Sequence, residues 1–307
     1  MEGTDWIPEG ATQPAEVEAE AESEIAPDET IKEQIKSMFR HNKLALVSAI
    51  LIVIFILVTV FAPVVAPHDP YVQDLTRRLE GPSAEHLLGT DNYGRDVLSR
   101  MLYGGRVSLL VGIFPTIISM TIGTALGLIA GFYGGKIDSI IMRLADVLMA
   151  FPSLLLAMLI SYTLGNGLLT IFMALSVVSW AGTARVVRSE VLSLREKEYV
   201  EAATSIGVKR GTIIRRHILP NCVPTLIVLF TMNVPGNILT ESSLSFLGIG
   251  AQPPSTSWGL MVYESKQYLQ MTPVSTLAPG ITILLLVVAF NFLGDALRDK
   301  LDPSLKN

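Results

Sequence analysis

Six stretches of this 307-residue chain are apolar and free of charge over about the length that a lipid bilayer demands. A hydrocarbon core about 30 Å thick takes roughly 20 residues of α-helix, and within it every backbone amide must find a protein partner. Leu44–Pro63 is uncharged over 20 residues and Val107–Phe132 over 26. Val147–Gly165 and Gly167–Ala184 follow, separated by a Gly165-Asn166-Gly167 turn, and then come Cys222–Thr240 and Val274–Gly294. With their flanks these predict helices at about 44–63, 107–132, 143–165, 167–188, 222–247 and 274–296. The expected fold class is all-α integral membrane with six transmembrane helices. Only 17% of the residues are charged, against about 25% in soluble domains, which argues against a water-soluble globule. The first stretch is too long for the apolar part of a secretory signal and follows 43 residues, so it reads as an uncleaved span.

The formal net charge of −5 hides two parts. Residues 1–30 hold ten acids and no Lys or Arg, leaving 18 acids against 23 bases in the body. The acidic part, with Pro8, Pro14 and Pro27, reads as a disordered cytoplasmic tail over 1–34. With the N-terminus inside, 17 of the 23 basic residues fall in cytoplasmic segments, and Arg77, Arg78, Arg95, Arg100, Arg106 and Lys266 remain outside. The positive-inside bias therefore places both termini in the cytoplasm. The first span and a periplasmic segment occupy 35–106, the membrane core 107–298 and a C-terminal cytoplasmic tail 299–307.

The periplasmic segment ends in Gly94–Tyr103, whose apolar spacing fits a short amphipathic helix at the membrane interface, either as a re-entry anchor or as a functional element. Gly123, Gly127 and Gly131 recur every four residues and form a groove for another backbone, favouring packing within one subunit. Asn233, Pro235, Gly236 and Asn237 lie near the middle of the fifth span, with Glu241 one turn on. Proline removes a helical hydrogen bond, and polar groups in lipid need protein or water beside them. A discontinuous helix lining a solute path through Asn233, Pro235, Asn237 and Glu241 accounts for them together. The alternative is a kink whose amides pair with neighbouring helices while Glu241 reaches the outer interface. Asp138, Arg143 and Asp146, and Asp295, Arg298 and Asp299, read as interfacial ion pairs and anchors at inner span ends.

Residues 189–221 form the one sizeable inner loop between spans. Glu198–Ile206 predicts a short helix with an apolar stripe, ended at Gly207, and a second basic helix over Lys209–Ile218 stops at Leu219-Pro220. Two short helices joined at a glycine make a docking knob. Ala202 and Ala203 allow a partner groove to approach, and Glu198 and Glu201 face basic groups at its rim.

Glu201-Ala202-Ala203, three residues, Gly207, nine residues, then His217-Ile218-Leu219-Pro220 resembles the EAA loop of permease subunits in binding-protein-dependent ABC importers. The family usually has Ile where this chain has His217. His86–Asp91, Gly94-Arg95-Asp96 and Leu98-Ser99-Arg100 resemble the C-type subunit of the oligopeptide/dipeptide group. So do Leu244–Pro254, Trp258-Gly259 and Gly294–Asp299; the likeness covers about 35–304. It implies a type I ABC importer permease fold whose cytoplasmic coupling helix carries Tyr199, Glu201, Ala202, Ala203 and Gly207 onto an ATPase. It also implies a second homologous permease, two ABC ATPase subunits, an extracytoplasmic substrate-binding protein, and a lipid setting in a prokaryotic inner membrane. ATP and Mg would sit on the partner ATPases, with no cofactor on this chain. Peptides lead among the implied solutes, with nickel chelates, glutathione and oligosaccharides as alternatives.

Nothing in the sequence points to catalysis. Gly135-Lys136 is followed by Ile137 and preceded by Ala130 where a Walker A loop needs glycine. The lone Cys222 has no disulfide partner. His41, His68, His86 and His217 are scattered over both predicted sides, which argues against a shared metal site. No basic face with interleaved aromatics suggests nucleic acid. A secondary carrier would show inverted repeats and ionisable groups at mid-membrane, and a membrane scaffold would need neither a solute path nor an ATPase.

Overall fold

The computed structural model describes residues 31–165 and 167–301, and among them there is no β-strand. The chain runs α1 (Ile31–His41), α2 (Lys43–Val60), α3 (Ala62–Val65), α4 (Val97–Tyr133), α5 (Gly135–Ala150), α6 (Ser153–Leu164) and α7 (Leu168–Arg195). It continues through α8 (Glu198–Ser205), α9 (Arg210–Ile213), α10 (Leu219–Phe246), α11 (Trp258–Ser265) and α12 (Pro273–Leu301). Five helical stretches are long and apolar enough to cross a bilayer, or six when the bent pair α5 and α6 counts as one. One end of the bundle carries α8 and is called the knob end. The opposite, loop end carries residues 66–96 and 247–272.

Besides α7, which runs to Arg195 instead of ending at 188 and so takes in the start of the expected 189–221 loop, four boundaries differ from the sequence expectation. Residues 31–34 belong to α1, not to the tail, because Met38 is buried and packs with Ile31, Ile35 and Phe39 against Leu297 and Leu301 of α12. The rest of the predicted acidic tail lies outside the described residues, as do Asn166 of the expected glycine turn and residues 302–307. Asp299–Leu301, assigned to the C-terminal tail, complete α12. The third span is not one helix over 143–165: α5 and α6 meet at 91°. Pro152 offers no N–H and disfavours helical backbone at the residue before it, so Phe151 is extended at φ −91°, ψ 141°.

The fourth difference is the segment before the second span. Gly94–Tyr103 does not form a separate interfacial helix. Asp96 caps α4 by accepting the Ser99 amide at 2.7 Å, and the helix then runs unbroken for 37 residues. At 1.5 Å per residue that is about 55 Å, well beyond the apolar core. Its first turns bury against α11: the Trp258 indole donates to Met101 O at 2.9 Å, and the Trp258 amide to Ser108 Oγ at 3.1 Å.

The glycine groove packs α4 on α7 inside one chain. A Cβ at Gly127 would lie 2.7 Å from Ala184 O, and one at Gly131 would lie 2.7 Å from Val191 Cβ. Backbone cannot rotate away as a side chain would. Gly127→Leu is therefore expected to cost about 1–3 kcal/mol of stability, read as a lower thermal midpoint in detergent; an unchanged midpoint contradicts the packing.

A core at the loop end joins α2, α4, α10, α11 and α12 through Ile52, Leu109, Val234, Ile238, Trp258 and Leu286. A second core at the knob end gathers Leu128, Val187, Val191, Val200, Ala203, Ile213, Ile218 and Cys222. Of the groups expected to form ion pairs at the inner span ends, Asp138 meets Arg188 at 2.5 Å and Asp146 meets Arg185 at 2.5 Å, so both acids of α5 hold α7.

Candidate functional site

The knob is built around α8. Val200 and Ala203 turn inward onto Val187, Val191, Ile213 and Ile218, fastening the helix to the bundle. Glu198 and Glu201 in its first turn complement the positive end of the helix dipole. Gly207 ends it at φ +81°; its amide donates to Thr204 O at 3.1 Å, and that of Val208 to Ala203 O at 3.1 Å. No atom stands where a Gly207 Cβ would go, so the backbone conformation alone requires glycine.

Of the five expected coupling residues, Tyr199, Glu201, Ala202 and Gly207 are exposed. Ala203 is not: it is buried in the chain's own core, so it holds the knob in place and presents nothing to a partner. The sequence reading missed Ile206, which is 80% exposed. Tyr199, Ala202 and Ile206 are spaced i, i+3, i+7 and fall on one outward stripe, a helical period visible in the sequence. Beside the stripe a cleft is lined by Phe132, Tyr133, Arg195, Glu201, Thr204 and Arg210.

The second predicted helix of the knob does not stop at Pro220. Arg210–Ile213 leads through a π-helical turn at Ile214–Ile218 into α10. Pro220 follows directly on that π-helical turn, inside the continuous helical run, and does not end it.

Span five corrects the broken-helix expectation. The helix α10 continues from Leu219 to Phe246 through Pro224 and Pro235, because neighbouring helices and side chains accommodate the freed backbone groups. Asn237 is buried and ties three helices: its amide donates to Thr116 Oγ1 of α4 at 2.8 Å and its carbonyl accepts from Ser179 of α7 at 3.4 Å. Glu241 is fully buried instead of reaching an interface. Its Oε1 accepts from Ser245 at 2.7 Å and Ser257 at 2.8 Å. Those hydroxyls in turn accept the amides of Ala251 and Leu260, so Glu241 organises the loop after α10 and the start of α11.

The four expected pathway residues thus do not line one opening. Pro235, Asn237 and Glu241 face the interior, and Asn233 is half-buried. The exposed face of α10 carries Met232, Gly236 and Leu239 instead, at i, i+4, i+7. Asn237→Ala is expected to lower stability by about 0.6–2 kcal/mol through loss of the interhelical tie, measured by denaturation of the purified chain; a larger loss of transport than of stability would restore a pathway role.

At the loop end, Asp91 and Glu264 hold Arg95 and Arg100 in a buried cluster. Arg95 Nε is 2.7 Å from Asp91, its Nη2 3.1 Å from Glu264, and Arg100 Nη2 2.9 Å from Glu264, while Arg100 Nη1 also pairs with Asp91. Beside it His68 and His86 converge on Asp96.

Residues 123–307 match the family described as "Binding-protein-dependent transport system inner membrane component", and residues 34–82 match the "N-terminal TM domain of oligopeptide transport permease C". The chain is 46% identical over 268 residues to the dipeptide transport system permease protein DppC of Alkalihalophilus pseudofirmus, covering 87% of this chain and 88% of that one. It is 43% identical over 270 residues to the glutathione transport system permease protein GsiD of Pectobacterium atrosepticum, covering 88% and 90%. Identity to the oligopeptide transport system permease protein OppC of Bacillus subtilis is 38% over 301 residues, covering 98% and 99%. A chain of the MetNI methionine ABC transporter, solved in inward-facing conformations, superposes with a TM-score of 0.51 at 18% identity. That likeness covers 66% of this chain and 96% of that one, and concerns the fold alone.

Proposed function

The chain belongs to the inner membrane components of binding-protein-dependent transport systems, and from that membership we propose that it is one half of the translocation pathway of an ATP-driven importer for di- or oligopeptides. The observation that carries this reading is the knob: a short helix welded to the bundle by Val200 and Ala203, with Tyr199, Ala202 and Ile206 turned outward.

A rigid helix of this kind transmits motion. An ATPase subunit docked on the stripe would move α8, and the shared core with Val187, Val191 and Ile213 would carry that displacement into α7 and α10. A second permease of similar fold completes the pathway, two ATPases bind and hydrolyse ATP with Mg, and an extracytoplasmic binding protein delivers solute at the loop end. Both termini lie in the cytoplasm on this reading. The peptide assignment draws on the dipeptide and oligopeptide permeases among the relatives. Glutathione is a second reading, favoured by the 43% identity to a glutathione permease.

The test is reconstitution of the complex in liposomes with its own binding protein. Peptide-loaded binding protein is expected to stimulate ATP hydrolysis and drive uptake. Stimulation by glutathione alone would shift the substrate class, and an assembly that brings down no ATPase chains would overturn the reading.

A further inference from the structure

Three separate pieces of chain meet at the loop end. His68 follows α3, His86 lies in the irregular segment, and Asp96 caps α4. One ligand atom from each lies within 4.8 Å of the others, and among the described residues no other three such side chains cluster this way. His86 Nδ1 is 2.9 Å from Asp96 Oδ1, and His68 Nδ1 is 3.7 Å from the same oxygen. The other carboxylate oxygen is committed to the Ser99 amide, so Oδ1 is the atom that faces both rings. The nitrogen His68 Nδ1 is buried yet lacks a hydrogen-bond partner. Both histidine backbones are anchored, His68 N to Ser99 Oγ and His86 N to Ser83 Oγ, each at 3.0 Å.

We propose that His68, His86 and Asp96 bind a divalent transition cation of the zinc class. Two imidazole nitrogens and one carboxylate oxygen are a borderline donor set that suits zinc, cobalt or nickel better than magnesium or calcium. Two neutral rings and one carboxylate carry a single negative charge to meet a dication. Bonds of about 2.0–2.2 Å in tetrahedral array put ligand atoms roughly 3.3 Å apart. That lies between the two separations from Asp96, while the two ring nitrogens, at most 4.8 Å apart, are the pair that has to close. The cation takes the place of the proton between His86 and Asp96, and the ring stays neutral by carrying its proton on Nε2 instead. Three protein ligands leave a fourth position open, and His68, 36% exposed in its side chain, lies on the solvent side. The cation would clamp the segment after the first span onto the start of α4. This site rests on the chain's own atoms and is independent of the transport reading.

The experiment uses the full-length chain in lipid nanodiscs with its co-purifying subunits, stripped with chelator and titrated with Zn²⁺ and then Co²⁺. One equivalent per chain is expected, with a cobalt spectrum of mixed nitrogen and oxygen ligation and a raised thermal midpoint. His68→Ala should weaken binding by about tenfold or more without moving the metal-free midpoint, because its side chain is half-exposed. Asp96→Asn should weaken binding likewise, but its single carbonyl oxygen cannot both cap α4 and face His86, so its metal-free midpoint should fall and its affinity is compared at matched folded fraction. Equal affinity in His68→Ala and the unaltered chain, or a midpoint at this cluster that responds to pH but not to metal, overturns the proposal.

Discussion

Ile206→Asp is expected to leave a folded, membrane-inserted chain that no longer transports. Ile206 is 80% exposed and lies outside the core that holds α8, so its replacement removes nothing from the chain's own packing. On a docked partner the same position becomes buried, and an unpaired carboxylate there loses its water without compensation. Truncating or charging the centre of such an interface costs about 2–4 kcal/mol, a weakening of roughly 30- to 1000-fold. Uptake should fall to background, and binding-protein-stimulated ATP hydrolysis should vanish, with the thermal midpoint unchanged. Ala203→Leu is the contrasting variant. Its side chain points into the core with Val187, Val191 and Ile213, so overpacking of about 1–3 kcal/mol lowers stability first. Normal uptake by Ile206→Asp would remove the stripe from the docking surface.

Asp91→Asn is expected to cost about 3–5 kcal/mol of stability, the largest loss from any single polar substitution considered. Asp91 is one of two anions set against two buried guanidinium groups, with Arg100 only 3% and Arg95 only 10% exposed in their side chains. The amide leaves Arg95 and Arg100 to share Glu264 alone, and an uncompensated buried charge is what makes removal of one partner costly. Added salt should not rescue it, because a buried pair is scarcely screened. In the double variant Asp91→Asn with Arg100→Met the losses should fall well short of additive, because both changes act on one network. A midpoint shift equivalent to less than about 1 kcal/mol would show that the cluster is solvated and loosely held.

The membrane class was legible in the sequence because charge-free length is a one-dimensional property. The glycine groove was too: Gly123, Gly127 and Gly131 lie on one face whatever the partner, and the in-chain partner proved to be α7. The knob helix, expected over Glu198–Ile206, runs over Glu198–Ser205 with Ile206 as its cap, because capping and period are local. What failed concerned direction and distance. Hydropathy sums over residues 143–165 carry no sign of a 91° turn, although Phe151-Pro152 marked where one could occur. Pro235 suggested a break, but whether a proline breaks a helix depends on what surrounds it.

The sequence by itself determined that this chain crosses a membrane, which helix forms the knob and which family it joins, since each rests on patterns that are read segment by segment along the chain. Only the tertiary structure decided what its polar residues do. Arg100 meets Glu264 across 164 positions, Asn237 meets Thr116 across 121, and His86 meets Asp96 only because Gly89 and Gly94 turn the intervening loop at positive φ. Where water is scarce a polar group must find a partner, and which partner it finds is set by how the helices pack rather than by its neighbours in sequence.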